Sequence, residues 1–90
     1  MNELLKFWQY VSENYDGDCI DDALENNGIS AELLRKDHLA KLNADELNSL
    51  FGDIINVFMD VSGTDNYGDV FEILTTEIEM NEAQASEILG

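Results

Sequence analysis

The side chains able to do chemistry in this 90-residue chain are one cysteine, one histidine and twenty carboxylates. A nucleophile needs a base within hydrogen-bond reach. Cys19 and His38 are the only thiol–imidazole pair available, and nothing in the sequence marks a third residue to orient them. An isolated cysteine reads first as a small buried hydrophobe, and an isolated histidine as a surface or helix-flanking residue. Tetrahedral zinc draws on several Cys and His ligands, which this chain lacks. Carboxylate neighbours such as Asp21 and Asp22 recur too often in so acidic a chain to signal acid–base work. The glycines form no phosphate-cradling loop.

Calcium is the remaining chemistry to test. An EF-hand loop needs oxygen ligands at positions 1, 3 and 5, glycine at 6 and glutamate at 12. A loop ending on Glu72 opens on Val61, which cannot ligate. A loop opening on Asp60 places Asp65 at the glycine position and Phe71 at position 12. A loop opening on Asp16 places Ile20 at position 5 and Asp21 at position 6. All three registers fail. The sequence therefore reads as a non-enzyme with no catalytic residue, no metal and no cofactor.

What the carboxylates can do is collective. Twenty Asp and Glu against four Lys and Arg give a net charge of −16. Self-repulsion on that scale opposes compaction and is relieved by salt. It disfavours nucleic acid and anionic membrane as direct partners, since both are polyanions. The complementary partner is a basic surface, and a nucleic-acid-binding groove is one such surface. The charge is also uneven. Arg35, Lys36 and Lys41 fall within seven residues, and no Lys or Arg follows. From residue 42 onward the chain carries eleven acids: Asp45, Glu46, Asp53, Asp60, Asp65, Asp69, Glu72, Glu77, Glu79, Glu82 and Glu87.

Helical periodicity supplies the elements that must position these acids. The hydrophobic fraction of 44% suffices for one modest core, and there is no proline. Leu4, Trp8, Val11 and Tyr15 share one face of a helix over 2–15. Leu5 and Phe7 widen that stripe, and Tyr10 lies outside it as the best exposed aromatic anchor. Asp18 is placed to cap a short helix over 19–27 with Ile20, Ala23 and Leu24 inward. Gly28 then suits a left-handed cap and Ile29 its apolar contact. Ser30 can cap a third helix carrying Leu33 and Leu34, which either runs through Leu39 and Leu42 or breaks near Asp37.

Asn43 and Glu46 have capping-box spacing ahead of the clearest helix, 44–61, with Leu47, Leu50, Phe51, Ile54, Phe58 and Val61 inward. Gly52 inside it predicts a close approach of another backbone. A fifth helix over 66–79 puts Tyr67, Val70, Phe71, Leu74 and Ile78 inward, and Asp65, Asp69, Glu72 and Glu79 together on its outer face. Asn81 can cap a last helix carrying Ala85, Ile88 and Leu89. Phe51-Gly52-Asp53-Ile54-Ile55 echoes Tyr67-Gly68-Asp69-Val70-Phe71, most simply as coincidence between two amphipathic helices. The expected architecture is an all-α, compact bundle of four to six short helices around one core, forming a single acidic domain over residues 1–90.

In general character the chain resembles the phage- and plasmid-borne DNA mimics that block restriction or CRISPR machinery, which are short, acidic and often helical. It is similar in the same way to the small acidic immunity proteins that neutralise nuclease toxins. Both resemblances are compositional and transfer no residue. The expected function is an inhibitor that binds the basic nucleic-acid-binding surface of a target, such as a nuclease, and blocks it by electrostatic competition. The alternatives are an immunity protein for a cognate nuclease toxin and a helical adaptor module. The expected contact residues are Asp45, Glu46, Asp53, Asp60, Asp65, Asp69, Glu72 and Glu79. A second apolar patch at Leu5, Phe7 and Tyr10 permits a homodimer as well as a monomer. A lone cysteine, no signal-peptide pattern and no apolar run near about 18 residues together point to the cytoplasm.

Overall fold

The computed structural model describes residues 3–89. Six α-helices and one 3-10 turn follow in order: α1 (Glu3–Asn14), α2 (Gly17–Asn26), the 3-10 turn (Ala31–Leu34), α3 (Lys36–Leu39), α4 (Ala44–Ser62), α5 (Tyr67–Thr76) and α6 (Glu82–Leu89). The protein is all-α, as its periodicity predicts. The radius of gyration is 12.1 Å.

The long helix α4 is the hub, with α1, α2 and α6 packed on it and α5 packed on α6. Both of its ends are fixed locally. The Asn43 side chain accepts from the Glu46 N–H at 2.9 Å, and the Glu46 carboxylate accepts from the Asn43 N–H at 3.2 Å. This reciprocal box satisfies two backbone donors that the first helical turn leaves without partners. At the other end Gly63 adopts φ 77° and donates to the Met59 carbonyl, a conformation that needs no Cβ. Between these ends Leu50, Phe51, Ile54, Ile55, Val57 and Phe58 are all buried. That stripe is wide because three helices close over it.

The first helix is rotated relative to its predicted face. Leu4, Phe7 and Val11 are its buried residues, and Trp8 and Tyr15 sit at the edges. Phe7 is fully buried because its ring fills the gap between Phe51 and Phe58, at centroid distances of 5.5 and 5.6 Å. Tyr15 meets Phe58 edge-on at 5.9 Å. Such pairs add about 0.5–1.5 kcal/mol each beyond the area they bury. The apolar patch expected at Leu5, Phe7 and Tyr10 therefore does not form: Phe7 belongs to the core, and Leu5 and Tyr10 are half-buried against it.

Helix α2 begins two residues earlier than predicted. Asp16, not Asp18, is its cap, accepting from the Asp18 N–H at 3.1 Å. Its end follows the prediction. Gly28 takes φ 69°, its N–H bonds the Glu25 carbonyl, and the Ile29 N–H reaches back to the Leu24 carbonyl at 2.9 Å. This is a Schellman cap. Ile20, Ala23 and Leu24 fill the buried stripe of this short helix, so Cys19 is left exposed and is not the buried hydrophobe expected.

The segment after Ser30 resolves into two pieces. Ser30 caps a 3-10 turn, and Arg35 takes an extended ψ of 141° before α3 begins. The tighter 3-10 winding sends Leu34 inward and leaves Leu33 37% exposed. Helix α5 is shorter than predicted. Its final turn widens, with the Ile78 N–H bonding the Ile73 carbonyl and the Met80 N–H the Leu74 carbonyl. Glu79 turns the chain in the left-handed region, φ 61°, which carbonyl–Cβ crowding makes unusual for a non-glycine residue. Gly52 departs from expectation as well, since a Cβ added there meets nothing within 4 Å. Its echo, Gly68, occupies the first turn of α5, and Phe51 is buried where Tyr67 is 52% exposed. The two segments are not structural equivalents.

Two substitutions test this packing. Phe58→Ala removes the ring that both Phe7 and Tyr15 touch and should destabilise the fold by about 3–5 kcal/mol. Gly52→Ala, in open space within a helix, should stabilise it by about 0.5–1 kcal/mol. Urea unfolding followed by circular dichroism measures both, and a destabilising Gly52→Ala would contradict the open position described.

Candidate partner-binding surface

All eleven carboxylates after residue 42 are exposed. Among the described residues one ion pair forms, Arg35 Nε to Asp37 Oδ1 at 3.4 Å, between side chains 68% and 65% exposed. A pair so exposed contributes about 1 kcal/mol or less. No charged or polar residue is buried among the described residues. The acidic half of the chain thus faces solvent without compensating charge from its own sequence.

The eight candidate contact residues divide by what else they do. Glu46 is half of the capping box of α4. Asp60 accepts from the Asn27 amide at 2.8 Å, which ties the end of α2 to α4. Asp69, in the first turn of α5, accepts from the Thr64 hydroxyl at 3.1 Å and faces the positive end of the helix dipole. Asp45 lies in the first turn of α4 and gains from the same dipole. Asp53 and Glu72 sit within their helices, and neither side chain makes a hydrogen bond or ion pair among the described residues. The Asp65 and Glu79 side chains make none either but lie outside the helices, which leaves Asp53 and Glu72 as the clearest helix-borne candidates for contact with a partner.

The predicted acidic stripe on the fifth helix is not built. Because α5 covers only Tyr67–Thr76, Asp65 lies in the linker before it and Glu79 lies beyond it in the left-handed turn. Only Asp69 and Glu72 remain on the helix. The longer alignment is on α4, where Asp45, Asp53 and Asp60 fall on its outward side by the 3.6-residue period, about 12 and 10 Å apart along the axis.

Asp53 stands between two concavities. One, of about 420 Å³, is lined by Leu33, His38, Leu42 and Leu50 and by Asp45, Glu46, Ser49 and Asp53 of α4. The other, of about 290 Å³, is bordered by Gly52, Asp53, Asn56, Tyr67, Ile88 and Leu89 among others. Leu33 and Tyr67 are the exposed large hydrophobics of the described chain, and each lines one of the two concavities that Asp53 borders. The sequence had no signal for either: Tyr67 reads as inward, and Leu33 is not set apart from Leu34 in the predicted third helix. Tyr10, marked by its sequence position as the exposed anchor, is half-buried instead. Burial, then repulsion from Tyr15 and Glu77, pushes its phenol above the ordinary value of 10.0.

His38 is half-buried on α3 and lines the larger concavity. Among the described residues no three His, Cys, Asp or Glu side chains are grouped so as to hold a metal ion, and no helix is long and apolar enough to cross a membrane. Comparison with protein-family models, curated proteins and solved structures gives no match.

The division between structural and spare carboxylates has a measurable consequence. Asp69→Lys loses a hydrogen bond and places a cation at a helix N-terminus, so it should destabilise the fold by about 1–2 kcal/mol. Asp53→Lys should leave stability within about 0.5 kcal/mol or raise it, as an exposed change that relieves repulsion. Equal losses in urea unfolding would show that Asp53 has a structural partner.

Proposed function

We propose that this protein is a stoichiometric inhibitor that occupies the nucleic-acid-binding surface of a basic target, such as a nuclease, and excludes nucleic acid by electrostatic competition. The observation that carries this reading is the uncompensated exposure of every carboxylate after residue 42. A surface serving solubility alone gains from interspersed charges of both signs. This one withholds the lysines that would relieve repulsion between its helices. A concentrated field of one sign raises the association rate with a basic partner and penalises partners of like charge.

Competition has a defined signature. Against a panel of basic restriction and CRISPR nucleases, the protein should displace a fluorescent oligonucleotide from its target at a one-to-one ratio. Inhibition should weaken steeply as salt rises. The paired reversal Asp53→Lys with Glu72→Lys should raise the half-inhibitory concentration by about tenfold or more, given the several kcal/mol that like-charge juxtaposition costs at an interface. Failure to displace the oligonucleotide from any member of the panel at low salt, or inhibition indifferent to the paired reversal, would contradict the proposal.

A further inference from the structure

We infer that the concavity beside Leu33 receives an apolar side chain from a basic amphipathic helix of the partner, whose Arg or Lys residues pair with Asp45 and Asp53. This rests on the reading of the acidic surface as a binding face for a basic protein, and it names where and how that protein is gripped. The concavity is lined by the apolar Leu33, Leu42 and Leu50, by His38, and by the α4 residues Asp45, Glu46, Ser49 and Asp53. Leu33 is exposed because the 3-10 turn and the extended Arg35 carry it away from the core that Leu34 enters.

Each half of that lining excludes a class of ligand. The three carboxylates repel nucleic acid and anionic lipid. The three leucines offer nothing to a bare cation, which would lose hydration against them without a compensating bond. Together they select a ligand that is apolar at its centre and cationic on its flanks. The spacing points to a helix. Asp45 and Asp53 are eight residues apart, about 12 Å along α4. A helix lying along α4 with cations at i and i+8 and apolar residues at i+3 and i+4 presents both features on one face. Arg35 and Lys41 border a neighbouring concavity that shares Leu33 and His38, so the cationic flanks of the ligand lie over α4 and not over the 3-10 turn. Tyr67, in the second concavity that Asp53 borders, offers an aromatic contact of the kind enriched at interface centres.

Two synthetic alanine-based helical peptides test this, identical in their arginines at i and i+8. One carries leucine at i+3 and i+4 and the other serine. Binding is followed by fluorescence anisotropy at low and high salt, and the contact is mapped by amide chemical shifts on this protein. The leucine peptide should bind about tenfold tighter, and the ratio should persist at high salt while both affinities fall. The largest shifts should fall between Leu33 and Asp53. Leu33→Ser, an exposed change whose retained fold is checked by circular dichroism, should abolish the ratio and leave the serine peptide unaffected. Equal affinity of the two peptides, a ratio that survives Leu33→Ser, or shifts located elsewhere would overturn the inference. If both peptides bind equally with steep salt dependence, the electrostatic reading of the surface stands and the groove falls. If neither binds at low salt, both fall.

Discussion

Apolar burial against α4 is the interaction on which everything else in this molecule depends. Phe51 and Phe58 of that helix hold Phe7 between them, Phe58 holds Tyr15 edge-on, and Ile54 and Val57 are fully enclosed. Little else can oppose the charge. The single ion pair among the described residues is short-range and exposed. A net charge of −16 pushes outward on a chain of only 90 residues. A domain of this size has a modest reserve of stability, about 5–15 kcal/mol, from which repulsion must be subtracted. The core is correspondingly free of polar compromise: no buried side-chain polar atom lacks a partner among the described residues.

The hub was legible in the sequence because its signals are local and mutually consistent. Asn43 and Glu46 announce the start, six apolar positions keep a helical period, and Gly63 ends it. Gly28 and Ile29 were legible for the same reason. What escaped depends on tertiary packing. The face of α1 turned toward Phe7 because a gap between two rings of another helix admitted it. The end of α5 was hidden because Glu79, and not glycine, takes the left-handed position. Tyr67 read as inward and Leu33 was not set apart from Leu34 because periodicity does not tell a 3-10 turn from an α-helix, nor the first residue of a helix from its interior.

The candidate surface divides in the same way. That the second half of the chain is anionic is a fact of sequence, and its exposure follows from the cost of burying unpaired charge. Which carboxylates are spare is not. Glu46 betrays its capping role by spacing, but the bonds from Asn27 to Asp60 and from Thr64 to Asp69 appear only once the helices are in place. Removing these leaves Asp53 and Glu72 as helix-borne carboxylates without a side-chain bond, and Asp53 borders the concavities that hold the exposed Leu33 and Tyr67. The long-range field of the acidic half and the short-range contacts around Asp53 then have separate tasks. Under the proposed function, the first would speed and orient encounter with a basic partner, and the second would fix where it settles.

The fold is held by its apolar core against an uncompensated surface charge, which under the proposed function serves a partner and not the fold. The most direct test is the melting temperature of the protein as sodium chloride is raised, since screening length falls from about 30 Å at 0.01 M to about 8 Å at 0.15 M. Melting temperature should climb steeply across that interval and level off above it, as repulsion between the exposed carboxylates is screened. A melting temperature that stays flat or falls over the same interval would mean that the acidic surface is internally balanced, and the account given for it would be wrong.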